Sequence, residues 1–91
     1  MQAVNYNELT QQERRSVREQ YVKEQSGLCY FCKTPLTVRP VMHPPINWNL
    51  FPRGRDFLRY PVHLHHDHNT GMTLGAVHAY CNGILWQYYG E

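Results

Sequence analysis

No stretch of this sequence approaches the ~20 consecutive apolar residues that a membrane-spanning helix needs, so a membrane protein is not expected. The N-terminus, MQAVNYNELTQQERR, lacks the apolar centre of a secretory leader. The expectation is a cytoplasmic chain. Low-complexity tracts and internal repeats are absent, which excludes solenoids and long disordered tails. Excess charge is scarce too. Nine basic residues against seven acidic ones leave a net charge of +2, which permits a nucleic-acid partner without arguing for one. Cysteine is scarce and odd in number, three in all, so the thiols cannot all pair within the chain. Chain length is short as well. Ninety-one residues make one small domain, 1–91, whose core is marginal unless a metal or a disulfide staples it.

What is present answers that need. Two cysteines stand as Cys29-Tyr-Phe-Cys32, and the third stands in His78-Ala-Tyr-Cys81. Both pairs have two intervening residues, the spacing that offers two donors to one tetrahedral ion. Three sulfurs and one imidazole make a closed shell, which reads as a structural Zn²⁺ site. A redox C-x2-C or plain buried thiols would explain either pair alone. The matching pair far along the chain favours zinc, which would join the two ends of the domain.

Local signals order the elements. Thr10-Gln-Gln-Glu13 fits a capping box, and residues 11–25 are rich in helix formers. Leu9, Val17 and Tyr21 give only a sparse apolar stripe, so this is a surface helix, ended by Ser26-Gly27. All six prolines lie between Pro35 and Pro61, so residues 33–62 read as an irregular loop. A short strand over Thr37–Met42 is compatible with that loop. Its aromatics, Trp48, Phe51, Phe57 and Tyr60, read as core rather than as a base-stacking surface. Val62 to His68 and Met72 to Val77 read as a hairpin around Asn69-Thr-Gly71. Ala79 to Tyr89 reads as a helix with Cys81, Ile84, Leu85 and Tyr88 on its inward face. The fold class is therefore a small zinc-stapled α+β domain: helix, knuckle, irregular loop, then a hairpin-plus-helix core over about 62–89.

The chemistry concentrates in His63-Leu-His-His-Asp-His68, where four of six histidines fall within six residues. Strand alternation puts His63 and His65 on one face and His66 and His68 on the other, unless the nearby turn makes neighbours converge. Such a cluster can bind a metal, supply a general base, or simply be a solvated strand.

His63-Leu-His-His-Asp-His-Asn-Thr-Gly71, then Gly75, then His78-x-x-Cys-Asn82, resembles the HNH nucleases of the ββα-metal fold. It is most similar to the branch of phage recombination endonuclease VII, which also carries a C-x2-C knuckle and a charged N-terminal helix. The resemblance covers most of residues 7–86 outside the proline-rich loop. It implies His66 as general base, and His65 with Asn82 as ligands of a catalytic divalent cation. It also implies Cys29, Cys32, His78 and Cys81 as the structural zinc site, His78 replacing a usual cysteine. His65 stands where that branch has an aspartate; other HNH enzymes use a His-His pair there. His63 and His68 would shape the site or contact phosphate. The branch's Arg-Gly in the second strand is Leu74-Gly75 here, so one phosphate contact is either missing or supplied by Arg53, Arg55 or Arg59.

The implied activity is metal-dependent hydrolysis of DNA phosphodiesters. Mg²⁺ suits the open coordination of two protein ligands, and an imidazole ligand would also suit Mn²⁺, Ni²⁺ or Zn²⁺. If the protein is phage-encoded, as the resemblance implies, the cytoplasm is that of a bacterial host; both a monomer and a dimer stay open. Two other readings stand beside this one. The first is a zinc-stapled module that binds DNA or protein without catalysis, favoured by His65 in the aspartate position. The second is a redox or hydrolytic enzyme built on the histidine cluster, disfavoured by Asn82.

Overall fold

A computed structural model describes residues 1–90. Helix α1, Gln11–Glu24, starts at Thr10, whose hydroxyl accepts from the Glu13 amide at 3.1 Å while the Glu13 carboxylate accepts from the Thr10 amide at 2.9 Å. This reciprocal cap, worth about 1 kcal/mol, is the one expected. Ser26 and Gly27 terminate the helix in the left-handed region, at φ 57° and 76°. The chain then reverses into the knuckle, where Cys29 N donates to Thr34 O and Lys33 N to Cys29 O.

Strands β1, Val62–His66, and β2, Thr73–His78, form an antiparallel pair. The first strand ends before the expected His68. Asp67 stops it by capping the turn: its carboxylate accepts from the amides of Asn69 (2.7 Å) and Thr70 (3.0 Å), and its backbone carbonyl accepts from Gly71 N. The register slips between His65 and His66, so His65 faces Gly75 but His66 faces Thr73. The N-terminal segment adds a short edge to the same hairpin: Thr73 N donates to Val4 O, and Tyr6 N to Gly71 O.

Helix α2, Ala79–Tyr89, follows β2 directly and ends at Gly90, φ 71°. Cys81, Ile84 and Leu85 are buried as expected, but Tyr88 is 47% exposed. It leans outward because its hydroxyl donates to Pro45 O on the loop.

Two apolar clusters result. One joins Tyr21, Cys29, Leu36, Leu64, Ala76, Val77, Cys81 and Leu85. The other joins Trp48, Phe51 and Phe57 of the loop to Tyr80 and Trp86 of α2. Trp48, Phe51 and Phe57 are core, as expected, whereas Tyr60 is 67% exposed. Two short 3₁₀ turns, Trp48–Leu50 and Gly54–Leu58, carry them. Gly83 lets the loop approach α2 closely, since a Cβ there would meet Ile46 Cδ1 at 2.8 Å. No strand forms over residues 37–42. That stretch has no partner strand, and the carbonyl of Val38 is turned to His78 instead.

Candidate functional site

The metal quartet assembles. The donor atoms of Cys29, Cys32, His78 and Cys81 lie within 4.8 Å of one another. The knuckle brings the first two; the junction of β2 and α2 brings the others. His78 shows how the cluster is oriented. Its Nε2 lies 3.0 Å from Pro35 O and 2.9 Å from Val38 O. Carbonyls only accept, so that nitrogen carries the proton. The lone pair of Nδ1 then faces Cys32 Sγ at 3.4 Å and Cys81 Sγ at 3.6 Å. A ring N–H held by a backbone carbonyl, with the other nitrogen turned to the donors, is the arrangement of a metal-ligating histidine. The Cys29 thiol is drawn down to about 4, chiefly by its hydrogen bond with Cys81, against the cost of burial. The same bond, with burial and the neighbouring sulfur charges, pushes the Cys81 thiol up. Three sulfurs packed this closely share negative charge poorly without a cation. The donor set fits a structural ion such as zinc.

A separate open groove of about 580 Å³ lies beside the hairpin, with His63, His66, His68 and Asn82 in its wall. His63 and His66, expected on opposite faces, both line this groove, as do Val62 and Leu64 beside them, while His65 is only 2% exposed and stands outside the lining. Asn82 Nδ2 lies 3.1 Å from His63 Nδ1, which pairs the amide donor with the ring lone pair and leaves the amide oxygen as the group's acceptor. Burial, then the Arg18 charge, hold His63 down at about 4, although the carbonyls of Phe57 and Tyr60 pull the other way.

His66 is stacked on Tyr6, ring centroids 4.0 Å apart and planes within 10°. The Arg14 guanidinium lies 3.8 Å from the same Tyr6 centroid. Two groups that near cannot share a face, so Tyr6 is sandwiched between them. The His68 ring is 5.0 Å from His66 on the groove side of the cluster. Burial lowers the pKa of His66, with further lowering by His68, His65 and Arg14 and opposition from Asp67. His66 is thus biased toward the neutral form at neutral pH.

The arginines expected to contact phosphate are elsewhere. Arg53 pairs with Asp56 at 3.8 Å, Arg55 lies over Trp48 and Arg59 over Tyr60. None of the three lines the groove; Arg14, Arg15 and Arg18 of α1 do. Tyr6 and Asp67 also went unrecognised in the sequence. For Asp67 the signal was available, because Asp-x-Asn-Thr-Gly is turn chemistry. For Tyr6 it was not, since its position depends on pairing across 65 residues, from Tyr6 to Gly71. No family model, curated protein or solved structure matches this chain.

Proposed function

We propose that this protein is a metal-dependent endonuclease that hydrolyses phosphodiester bonds of DNA, with His66 as general base. One observation carries the reading: a half-buried histidine, biased to the neutral form, sits at the wall of a groove that also holds the His63–Asn82 pair. Phosphodiester hydrolysis needs a base for water and stabilisation of charge on the phosphate. His66 would take a proton from water, the oxygen would attack phosphorus, and the bond to the 3′ oxygen would break. His63 would hold Asn82 in one orientation. His65 and Asn82 would hold a divalent cation, which when bound supplies positive charge to the phosphate. Both are neutral donors, so Mn²⁺, Ni²⁺ or Zn²⁺ suit them as well as Mg²⁺. The quartet of Cys29, Cys32, His78 and Cys81 would be purely structural, fixing the start of α2 and thereby Asn82, one residue beyond Cys81.

A second reading is a DNA-binding module without catalysis. The observation favouring it is His65, buried at 2% exposure and outside the groove lining. Nicking of supercoiled plasmid by zinc-loaded protein, across a panel of added divalent metals, separates the two. The nuclease reading expects metal-dependent nicking that His66→Ala abolishes while zinc content and fold persist. Equal nicking by that variant sinks the base assignment, and inactivity with every metal favours the binder.

A further inference from the structure

Helix α1 has a face that its weak apolar stripe leaves unexplained. Gln11, Arg14, Arg15 and Arg18 recur at i, i+3, i+4 and i+7, a single stripe of a 3.6-residue helix. All four line the groove. The acidic residues of the helix, Glu13, Glu19 and Glu24, fall off that stripe and outside the lining. Glu13 is engaged in the cap. Among the described residues, no aspartate or glutamate lines the groove at all, whereas three arginines do. In a chain whose net charge is only +2, this is a local concentration of positive charge rather than a general one.

We infer that Arg14, Arg15 and Arg18 form the phosphate-binding stripe of this groove and seat the backbone of duplex DNA against the histidines. The identity of the ligand rests on the nuclease reading above; the siting of the stripe does not. An acid-free wall with three guanidiniums attracts a polyanion. Guanidinium forks match phosphate oxygens in two-point contacts. From Arg14 to Arg18 the helix rises about 6 Å, while one DNA strand presents a phosphate every ~3.4 Å of duplex axis. Three arginines at that spacing can meet two or three consecutive phosphates. Contacts of this kind set affinity and register but carry no base sequence. The three arginines are not equally informative. Arg14 is fixed by its bond to Tyr6 O at 3.1 Å and its packing on the Tyr6 ring, so it doubles as a structural residue and is a poor test. Arg15 and Arg18 are the informative positions.

The test is fluorescence anisotropy of a labelled DNA duplex, titrated with zinc-loaded His66→Ala protein without other divalent metals, over a range of salt. The background variant separates binding from cleavage. Arg15→Ala with Arg18→Ala is expected to weaken binding about tenfold or more and to flatten the log K against log salt slope by about 0.9 for each arginine removed. Arg53→Ala with Arg55→Ala is expected to keep the parental slope. Circular dichroism checks that both double variants fold. Unchanged affinity and slope in the Arg15/Arg18 variant overturn the inference. So does a parent that binds no DNA, or one from which polyglutamate displaces DNA as well as a second duplex does. Arginine-dependent DNA binding, together with no nicking by the His66-containing protein in the presence of any added metal, upholds the stripe and sinks only the nuclease reading.

Discussion

The ring of Tyr6 lies parallel to the ring of His66, with 4.0 Å between centroids and 10° between planes. Tyr6 is held from three sides: its amide donates to Gly71 O, its carbonyl accepts from Arg14, and its far face carries the Arg14 guanidinium. The stack therefore fixes the imidazole of His66 and helps exclude water from it. Burial is the main cause of the lowered His66 pKa. Tyr6→Ala should raise that pKa toward the ordinary value near 6.5, while Tyr6→Phe should leave it low. Loss of the ring pair should also cost about 0.5–1.5 kcal/mol beyond the lost area. NMR titration of the His66 ring protons in parent and variants is the check. An unmoved pKa in Tyr6→Ala would show that the stack does not set it.

How much of this was legible beforehand depends on range. The cap Thr10/Glu13, the stop at Ser26-Gly27 and the start of α2 after His78 depend on neighbours within a few residues, and all were readable. The metal quartet was readable because its spacing repeats. The meeting of His63 and His66 in one groove was not, because that groove is walled by α1, the loop and α2, which come from distant parts of the chain. The arginine stripe was present in the helix as a period of 3.6. What faces it is decided by distant contacts that dock α1 on β2, such as Tyr21 OH with Thr73 and the Gln25 amide with Ala76. Arg53, Arg55 and Arg59 were attractive for being clustered in sequence, yet the loop engages them itself, Arg53 with Asp56 and the other two over its own aromatics.

His78 makes the metal centre testable atom by atom. If Nδ1 is the ligand, Co²⁺-loaded protein should show the d–d and charge-transfer bands of a tetrahedral three-sulfur, one-nitrogen site. His78→Cys should convert them to those of four sulfurs with the fold retained. Cys29→Ala, or a strong chelator, should unfold the domain. The apparent binding free energy of such sites, ~10–16 kcal/mol, is of the order of the whole stability of a small domain, ~5–15 kcal/mol. Circular dichroism in chelator is the measurement, and a native spectrum there would remove the staple from the account.

Gly75 is required by the Gln25 clamp. The Gln25 amide accepts from Ala76 N at 2.8 Å and donates to Ala76 O at 2.9 Å, continuing the edge of β2 with a side chain. A Cβ at Gly75 would lie 2.8 Å from both Gln25 Oε1 and Tyr30 Cγ. The backbone there is ordinary strand, so the constraint is space alone. Gly75→Ala should therefore destabilise by about 1–3 kcal/mol, the usual cost of overpacking. It should also loosen the knuckle, since Tyr30 N donates to Ala76 O. Urea denaturation of the zinc-loaded variant gives the first quantity, and a chelator-competition assay gives the second. Parental values in both would mean that Tyr30 and Gln25 shift at no cost.

His63 sets a pH dependence whose sign is opposite to that of a paired histidine. Its pKa in the fold is about 4, held there by burial and by Arg18, against about 6.5 in an unfolded chain. Between those values the unfolded state binds the extra proton, so stability rises with pH. The contribution is complete above 6.5 and is lost as pH falls to 4. A shift of this size is worth on the order of 3 kcal/mol. The zinc thiolates also protonate in acid, so the parent alone cannot report it. The difference between parent and His63→Gln, which has no titrating ring, cancels that common part. The stability of the parent relative to the variant should decline by roughly 3 kcal/mol from pH 7 to pH 4, read by urea denaturation at each pH. A difference that stays flat across this window would mean that His63 takes up its proton as readily in the fold as in the unfolded chain, and that neither burial nor Arg18 holds it neutral.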